Sequence, residues 1–241
     1  MAGAQSRDDE ERLGVSVGAG AGGGVSLVTA RVGGSVTAAI GVGTSGSIRS
    51  GQNTAVQALH NVDDKGDTIT GKGAFAKGNA SGGSGLLSGN GTDVLAIASP
   101  DVLASVGLGL STTLGDVMVQ ALAHNEAIVA TTTNVTVGGL AVGVVLQEGQ
   151  ANGSTKAIRG GTSIVQGRNV SQYGHNFVGG NITVLAHHTA KAESEAKATG
   201  GGVLAGVGAE STVIATPVVW AYVAPSASLN TGYGNYNSRV N

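Results

Sequence analysis

The chain predicts an all-β fold, a right-handed parallel β-helix (β-solenoid) built from degenerate repeats of about 63–65 residues. Three observations carry this prediction. From Ile182 to Thr199 small or apolar residues alternate with polar ones without a slip. Ile182, Val184, Ala186, His188, Ala190, Ala192, Ser194, Ala196 and Ala198 fall on one face, and Lys191, Glu193, Glu195 and Lys197 lie on the other. A period of two is that of a pleated strand. The second observation is repetition. Asn53–His60 reappears as Asp116–Ala123 and, more weakly, as Asn181–His188, and a second marker recurs at Ser47–Gly51, Ser163–Gly167 and Ser228–Gly232. The third is the composition: 43 Gly and only 3 Pro, with aromatics at 3%. Such a chain fills a narrow interior with Ala, Val and Gly.

Composition also sets aside several classes. Disordered chains are charged and poor in β-branched residues; here charged residues make up 12%, and mean hydropathy is +0.17. A net charge of -2 without a basic cluster gives no electrostatic footprint for nucleic acid. With no cysteine there is no disulfide, zinc–thiolate site or cysteine nucleophile. No apolar run approaches the roughly 20 residues of a membrane helix, so membrane insertion is not expected. Met1–Leu13 is polar and acidic rather than a basic-then-apolar leader, which reads as a processed chain or an excerpt of a longer one.

In chain order, residues 1–12 are expected as a polar tail, and residues 13–241 as one array. Its modules are 13–52, 53–115, 116–180 and 181–241. Strand signals within them are short: Val25–Arg31, Val36–Ile40, Val94–Ala98, Val117–Ala123 and Ala127–Val137. Glycine, Asn and Ser clusters such as Gly82–Gly91 divide them. In the third module Val117, Val119, Ala121, Ala123, Ala127, Val129, Val135 and Val137 share one parity, which predicts a coil keeping one face inward throughout. Repeats of 63–65 residues accommodate three coils of about 21 residues each.

A helix at Thr189–Thr199 competes on propensity, since Glu193 and Lys197 form a favourable i,i+4 pair. On a helix, however, the alanines would scatter around the axis, whereas a strand gathers them into one stripe. A β-sandwich would call for bulkier core residues.

The pattern Gly-x-Asn/Asp-x-x-Val-x-Ala, then a Gly/Ala/Val block, an Ala-Tyr/Ile segment and another Gly-x-Asn, resembles the repeat regions of large filamentous-haemagglutinin-like bacterial exoproteins and adhesins. Gly18–Gln52, Asn53–His60, Asp116–Val144 and Asn181–Gly232 carry it. The resemblance implies a secreted right-handed β-solenoid at the bacterial cell surface, used in attachment and biofilm. It brings no catalytic residues with it.

Candidate chemistry is sparse. Glycoside hydrolysis needs two carboxyl groups about 5–10 Å apart. Asp63/Asp64, Asp67 and Glu193/Glu195 are the candidate pairs, and the last two read better as a charge-balanced solvent face between Lys191 and Lys197. Of the five histidines, His60 and His188 are equivalent in the repeat, where the intervening copy has Ala123; adjacent His187 and His188 point to opposite faces. With coils of about 20 residues, His60, His124 and His188 would lie several rungs apart, so no shared metal is expected. Ser88–Ala96 resembles a single calcium-binding nonapeptide of toxin-type β-rolls, but a turn entering a strand explains it. Gly18–Gly24 lacks the following helix of a dinucleotide loop. Asn-x-Ser/Thr sequons stand at Asn79, Asn90, Asn134, Asn152, Asn169 and Asn181, as glycosylation candidates. Trp220 and Tyr222 share one face of Val218–Val223 and are the candidate binding surface.

Together these readings predict a non-enzymatic extracellular adhesin or stalk segment without cofactors. Its partner would be a host or matrix surface, glycan or protein, or other copies of itself. A subunit that stacks end to end into a filament is the second expectation, and a polysaccharide-active enzyme the third.

Overall fold

The computed structural model describes residues 2–4, 7–41, 47–50, 52–107, 110–166, 168–169, 177–178, 180–225 and 227–231. Among them there is no helix. The chain makes four passes. The first lays down β1 (Ala2–Ala4), β2 (Asp8–Gly18), β3 (Ala21–Ile40) and β4 (Ser47–Ser50). The second gives β5 (Thr54–His60), β6 (Ala74–Ser84), β7 (Leu87–Val106) and β8 (Leu110–Leu114). The third gives β9 (Val117–Val137), β10 (Leu140–Ala151), β11 (Ser154–Arg159) and β12 (Thr162–Gln166), followed by the short antiparallel pair β13 (Arg168–Asn169) and β14 (Phe177–Val178). The fourth gives β15 (Ile182–Gly201), β16 (Leu204–Ala215), β17 (Val218–Val223) and β18 (Ser228–Thr231).

Each pass contributes to three parallel sheets. One holds β1, β2, β5, β6, β9 and β15; the second holds β3, β7, β10, β11, β16 and β17; the third holds β4, β8, β12 and β18. The first two sheets face each other, and the core lies between them. Two-residue bends at 19–20, 85–86, 138–139 and 202–203 carry the chain from one to the other. The consecutive strands at each bend therefore meet through side chains, while their hydrogen bonds run to neighbouring passes.

Repeat and pass are the same unit. Val56, Val119 and Val184 lie in register on β5, β9 and β15. A repeat is thus one long pass rather than three coils of about 21 residues. The histidine expectation changes accordingly: His60, Ala123 and His188 form one column on consecutive strands.

Alternation sets the interior. In β7, Val94, Ala96, Ala98, Val102 and Ala104 are buried between the sheets, with Val28, Ala30 and Ala38 of β3 beside them. Burying each such valine contributes about 1.5–3 kcal/mol. The spacing is narrow enough to demand glycine in places. A Cβ on Gly78 would stand 2.7 Å from Val94 Cγ2. In β15 the alanine-bearing positions turn inward and the Lys/Glu positions outward, so propensity yields to period at 189–199.

The fixed parity expected for the third module breaks. Ser194 pairs with Val129 but Ala196 pairs with Thr132, so β9 carries an extra residue. A bulge of one residue reverses every side chain beyond it. Val117, Val119, Ala121, Ala123, Ala127 and Val129 point inward, but Val135 and Val137 are exposed, and Thr132, Asn134 and Thr136 are buried instead. The interior is accordingly apolar over most of its width and polar near the bends.

The first 12 residues are not a tail. Ala2–Ala4 pairs with β5, and Asp8–Gly18 pairs with β6 along its whole length. Backbone pairing orders this acidic stretch, and its charges neutralise locally through Arg7–Asp9 at 2.7 Å, Arg12–Glu10 at 3.4 Å and Lys77–Glu11 at 2.8 Å.

Candidate functional site

The outer face of β17 carries the aromatic locus. Thr155, Ala157 and Arg159 of β11 are buried and lie in register with Val219, Ala221 and Val223, which places Trp220 and Tyr222 on the outside. Trp220 is 57% and Tyr222 41% exposed. Lys156, the register neighbour of Trp220, sets its Nζ 5.5 Å from the indole centroid. An aromatic face with a cation beside it is a surface on which a sugar ring or a second strand can stack. Tyr233 and Tyr236 lie outside the described residues.

Glu193 and Glu195 sit on the exposed face of β15, and each bonds the lysine two residues away: Lys191–Glu193 at 3.0 Å and Lys197–Glu195 at 2.9 Å. The arrangement is a solvated, charge-balanced stripe. Asp63, Asp64 and Asp67 belong to the loop between β5 and β6. The Asp63 carboxylate accepts the backbone N–H groups of Lys65 and Asp67, at 2.9 and 2.8 Å, and so shapes its own turn.

The histidines gather at a buried corner. Pairing of β5 and β15 with β9 sets His60 and His188 on either side of Ala123, one residue before His124, while His187 is exposed on the opposite face of β15 from His188. His188 Nε2 lies 3.0 Å from Asn125 Oδ1, and its Nδ1 lies 2.9 Å from Thr155 Oγ1. His124 Nε2 lies 3.1 Å from Glu126 Oε1, and His60 Nε2 lies 3.2 Å from Asn61 Nδ2. Burial first, then the neighbouring His124, pushes His60 down to about 4; burial first, then His60, His124 and His187, pushes His188 down to about 4 as well. Burial disfavours the charged ring. Among the described residues, no group of three or more His, Asp or Glu side chains is placed to hold a metal ion. His175 lies outside the described residues.

Ser88–Ala96 is the interior of a strand, not the turn expected; the bend precedes it at 85–86. Asp93 stands in register with Leu27 and Leu146, so the strands on either side offer it no second carboxylate. Gly18–Gly24 bends from β2 into β3 and meets no helix.

The sequons separate by burial. Asn134 is fully buried and Asn90 nearly so, with both side-chain amides bonded to backbone carbonyls, and a folded chain has no room for a glycan at either. Asn79 is half-buried and accepts the Thr133 N–H at 3.2 Å, and Asn152 Oδ1 accepts from Thr216 N–H and Oγ1. Asn181 is exposed ahead of β15. The side chain of Asn169 lies outside the described residues.

Several buried polar residues escaped sequence reasoning. Asn125 donates to the Ala98 carbonyl at 2.9 Å, and Glu126 and Gln147 are buried. Arg159 is 0% exposed, and its Nη1 donates to the Gly160 carbonyl; burial lowers its pKa. For Asn125, Gln147 and Arg159 the only sequence signal was a polar residue at an inward-parity position, whereas Glu126 has outward parity and gave no such signal.

No protein-family model, curated protein or solved structure matches the chain. Its class therefore follows from architecture: an all-β protein of parallel strands stacked in register over four passes, with an aromatic–cationic locus on one outer face.

Proposed function

We propose that the chain is a right-handed parallel β-solenoid serving as an extracellular adhesin or stalk segment of a bacterial surface. The carrying observation is the in-register stacking of four passes, which repeats an outward face at the strand spacing of about 4.8 Å. Right-handedness follows from the strong preference of parallel crossovers for that hand. Such a rod attaches through many weak contacts along its length, so avidity replaces a deep pocket. Trp220, Tyr222 and Lys156 supply the face best suited to stacking on a glycan.

Glycan-array binding of the fluorescently labelled protein, displayed on beads to supply valency, tests the reading. Retention on a glycan class that falls about tenfold or more in W220A/Y222A supports it. Absence of retention on any glycan or on immobilised matrix proteins removes the attachment role, and electron micrographs lacking a rod remove the solenoid.

A further inference from the structure

The two ends of the strand stack differ chemically. At the first pass, Asp8, Glu10 and Arg12 lie in register with Ala74, Ala76 and Gly78, so charged side chains point toward the interior. The Asp8 carboxylate also accepts the Arg31 N–H at 2.7 Å. Leu87 N–H donates to the Gly20 carbonyl, so even-numbered carbonyls of β3 face the second pass and the Arg31 N–H belongs to the open edge. Inward charges and an occupied donor blunt that edge. At the fourth pass the inward residues Val207, Val213 and Val219 remain 46%, 49% and 41% exposed, and among the described residues no strand pairs with β16 or β17 on their outer edge.

A filament that set a first pass on a fourth in continuing register would place Asp9 over Glu193 and press Asp8 onto Ala192. Like charges directly opposite are destabilising. End-to-end polymerisation in that register is therefore disfavoured.

We propose that two copies pair fourth pass to fourth pass, β15 running antiparallel to the partner copy's β15 about a dyad at Ala192. Val117 N–H donates to the Asn181 carbonyl, so odd-numbered backbone groups of β15 turn to β9 and even-numbered ones to the open edge. Ala192 thus has its N–H and C=O on the edge, as a hydrogen-bonded antiparallel pair requires. The dyad lies near the middle of the strand, so Thr183–Gly201 overlaps. On the outer face Lys191 then opposes the partner copy's Glu193, and Glu193 the partner copy's Lys191. A dyad at Ser194 would instead set Glu193 against Glu195 and Lys191 against Lys197. Charge thus selects the central register.

The second sheet follows the same axis. Ser211 Oγ donates to Ser194 Oγ at 2.8 Å, which sets Val213 across from Ala192. Leu204 N–H donates to the Gly139 carbonyl, so the odd groups of β16, Val213 among them, face the open edge. Pairing about Val213 brings Trp220 opposite the partner copy's Gly206 and Tyr222 opposite its Leu204. An aromatic over a cross-strand glycine covers otherwise bare backbone, which accounts for the two exposed rings. Pro217 withholds one donor opposite Ala209. The pairing draws on strand register alone and stands whether or not the rod attaches to a surface.

Sedimentation equilibrium of the chain tests it. The wild type is expected as a dimer at about 50 μM. K191E places Glu against Glu twice and raises the dissociation constant by about tenfold or more, as does E193K, while K191E/E193K restores dimerisation. K197E breaks an equivalent bond within the strand, to Glu195, but faces the partner copy's His187, and leaves the dimer intact. Emission of Trp220, the only tryptophan, shifts to the blue as concentration drives pairing. A monomer at that concentration, open-ended polymers, equal weakening by K191E and K197E, or failure of the double swap to rescue overturns the proposal.

Discussion

Asn134 and Asn90 hold the two facing sheets together across a polar interior. The Asn134 side-chain amide donates to the Asn90 carbonyl at 3.2 Å and to the Val144 carbonyl at 3.1 Å. Asn90 reciprocates with Nδ2 on the Val135 carbonyl at 2.9 Å, and its Oδ1 accepts the Gly24 N–H at 3.1 Å. Thr136 Oγ1 closes the network on Asn134 Oδ1 at 3.3 Å. Four strands from three passes meet in these two amides.

Replacing Asn134 with alanine removes two bridging hydrogen bonds and opens a void, and is expected to cost about 2–4 kcal/mol. Asn134→Asp should cost at least as much, because a carboxylate replaces a donor between two carbonyl oxygens. Urea midpoints at pH 7 measure both; a loss below about 0.5 kcal/mol for either contradicts the network.

The bulge in β9 makes two valines of the same sequence parity behave differently. Val129 is 3% and Val137 53% exposed. Val137→Lys should change stability by no more than about 0.5 kcal/mol, whereas Val129→Lys buries an unpaired ammonium and should cost about 3 kcal/mol or more. Equal effects in thermal melts would mean that the parity runs unbroken, as the sequence alone suggests.

Stability should fall with acid. His60 and His188 titrate near 6.5 in the unfolded chain and at about 4 in the folded one. Between those values the unfolded chain binds more protons, so stability is full above about pH 6.5, declines as pH falls toward 4 and levels off below it. His188→Gln should flatten part of that decline, and His187→Gln, on the solvent face, should not. Denaturation midpoints from pH 8 to pH 4 decide this; a flat profile would mean that neither ring is buried neutral.

In a host that glycosylates Asn-x-Ser/Thr after folding, Asn90 and Asn134 should stay unmodified, because their amides are buried and bonded. Among the described sequons, Asn181 alone is exposed, so it should be the most readily occupied. Peptide mass mapping of the native protein checks the contrast; occupancy at Asn134 would sink the interior assignment.

Period and repetition were enough to assign strands, the inward alanines and outward Lys/Glu stripe of β15, and the outward placement of Trp220 and Tyr222. Alternation is a local property of the backbone, and equivalent strands carry equivalent residues, so both are legible in one chain. Three features were not. The bulge between Val129 and Thr132 appears only against the registers of the neighbouring strands β6 and β15. The buried Asn90–Asn134 network needs two sheets to face each other, and the histidine corner needs His60, His124 and His188 brought together from three passes. Each depends on which strand lies beside or across from which, and hydrogen bonds between distant segments, not local preference, decide that. The sequence by itself determined that this chain is parallel-patterned β with a narrow small-residue core. Tertiary pairing decided that each repeat is a single long pass and where polarity enters the core.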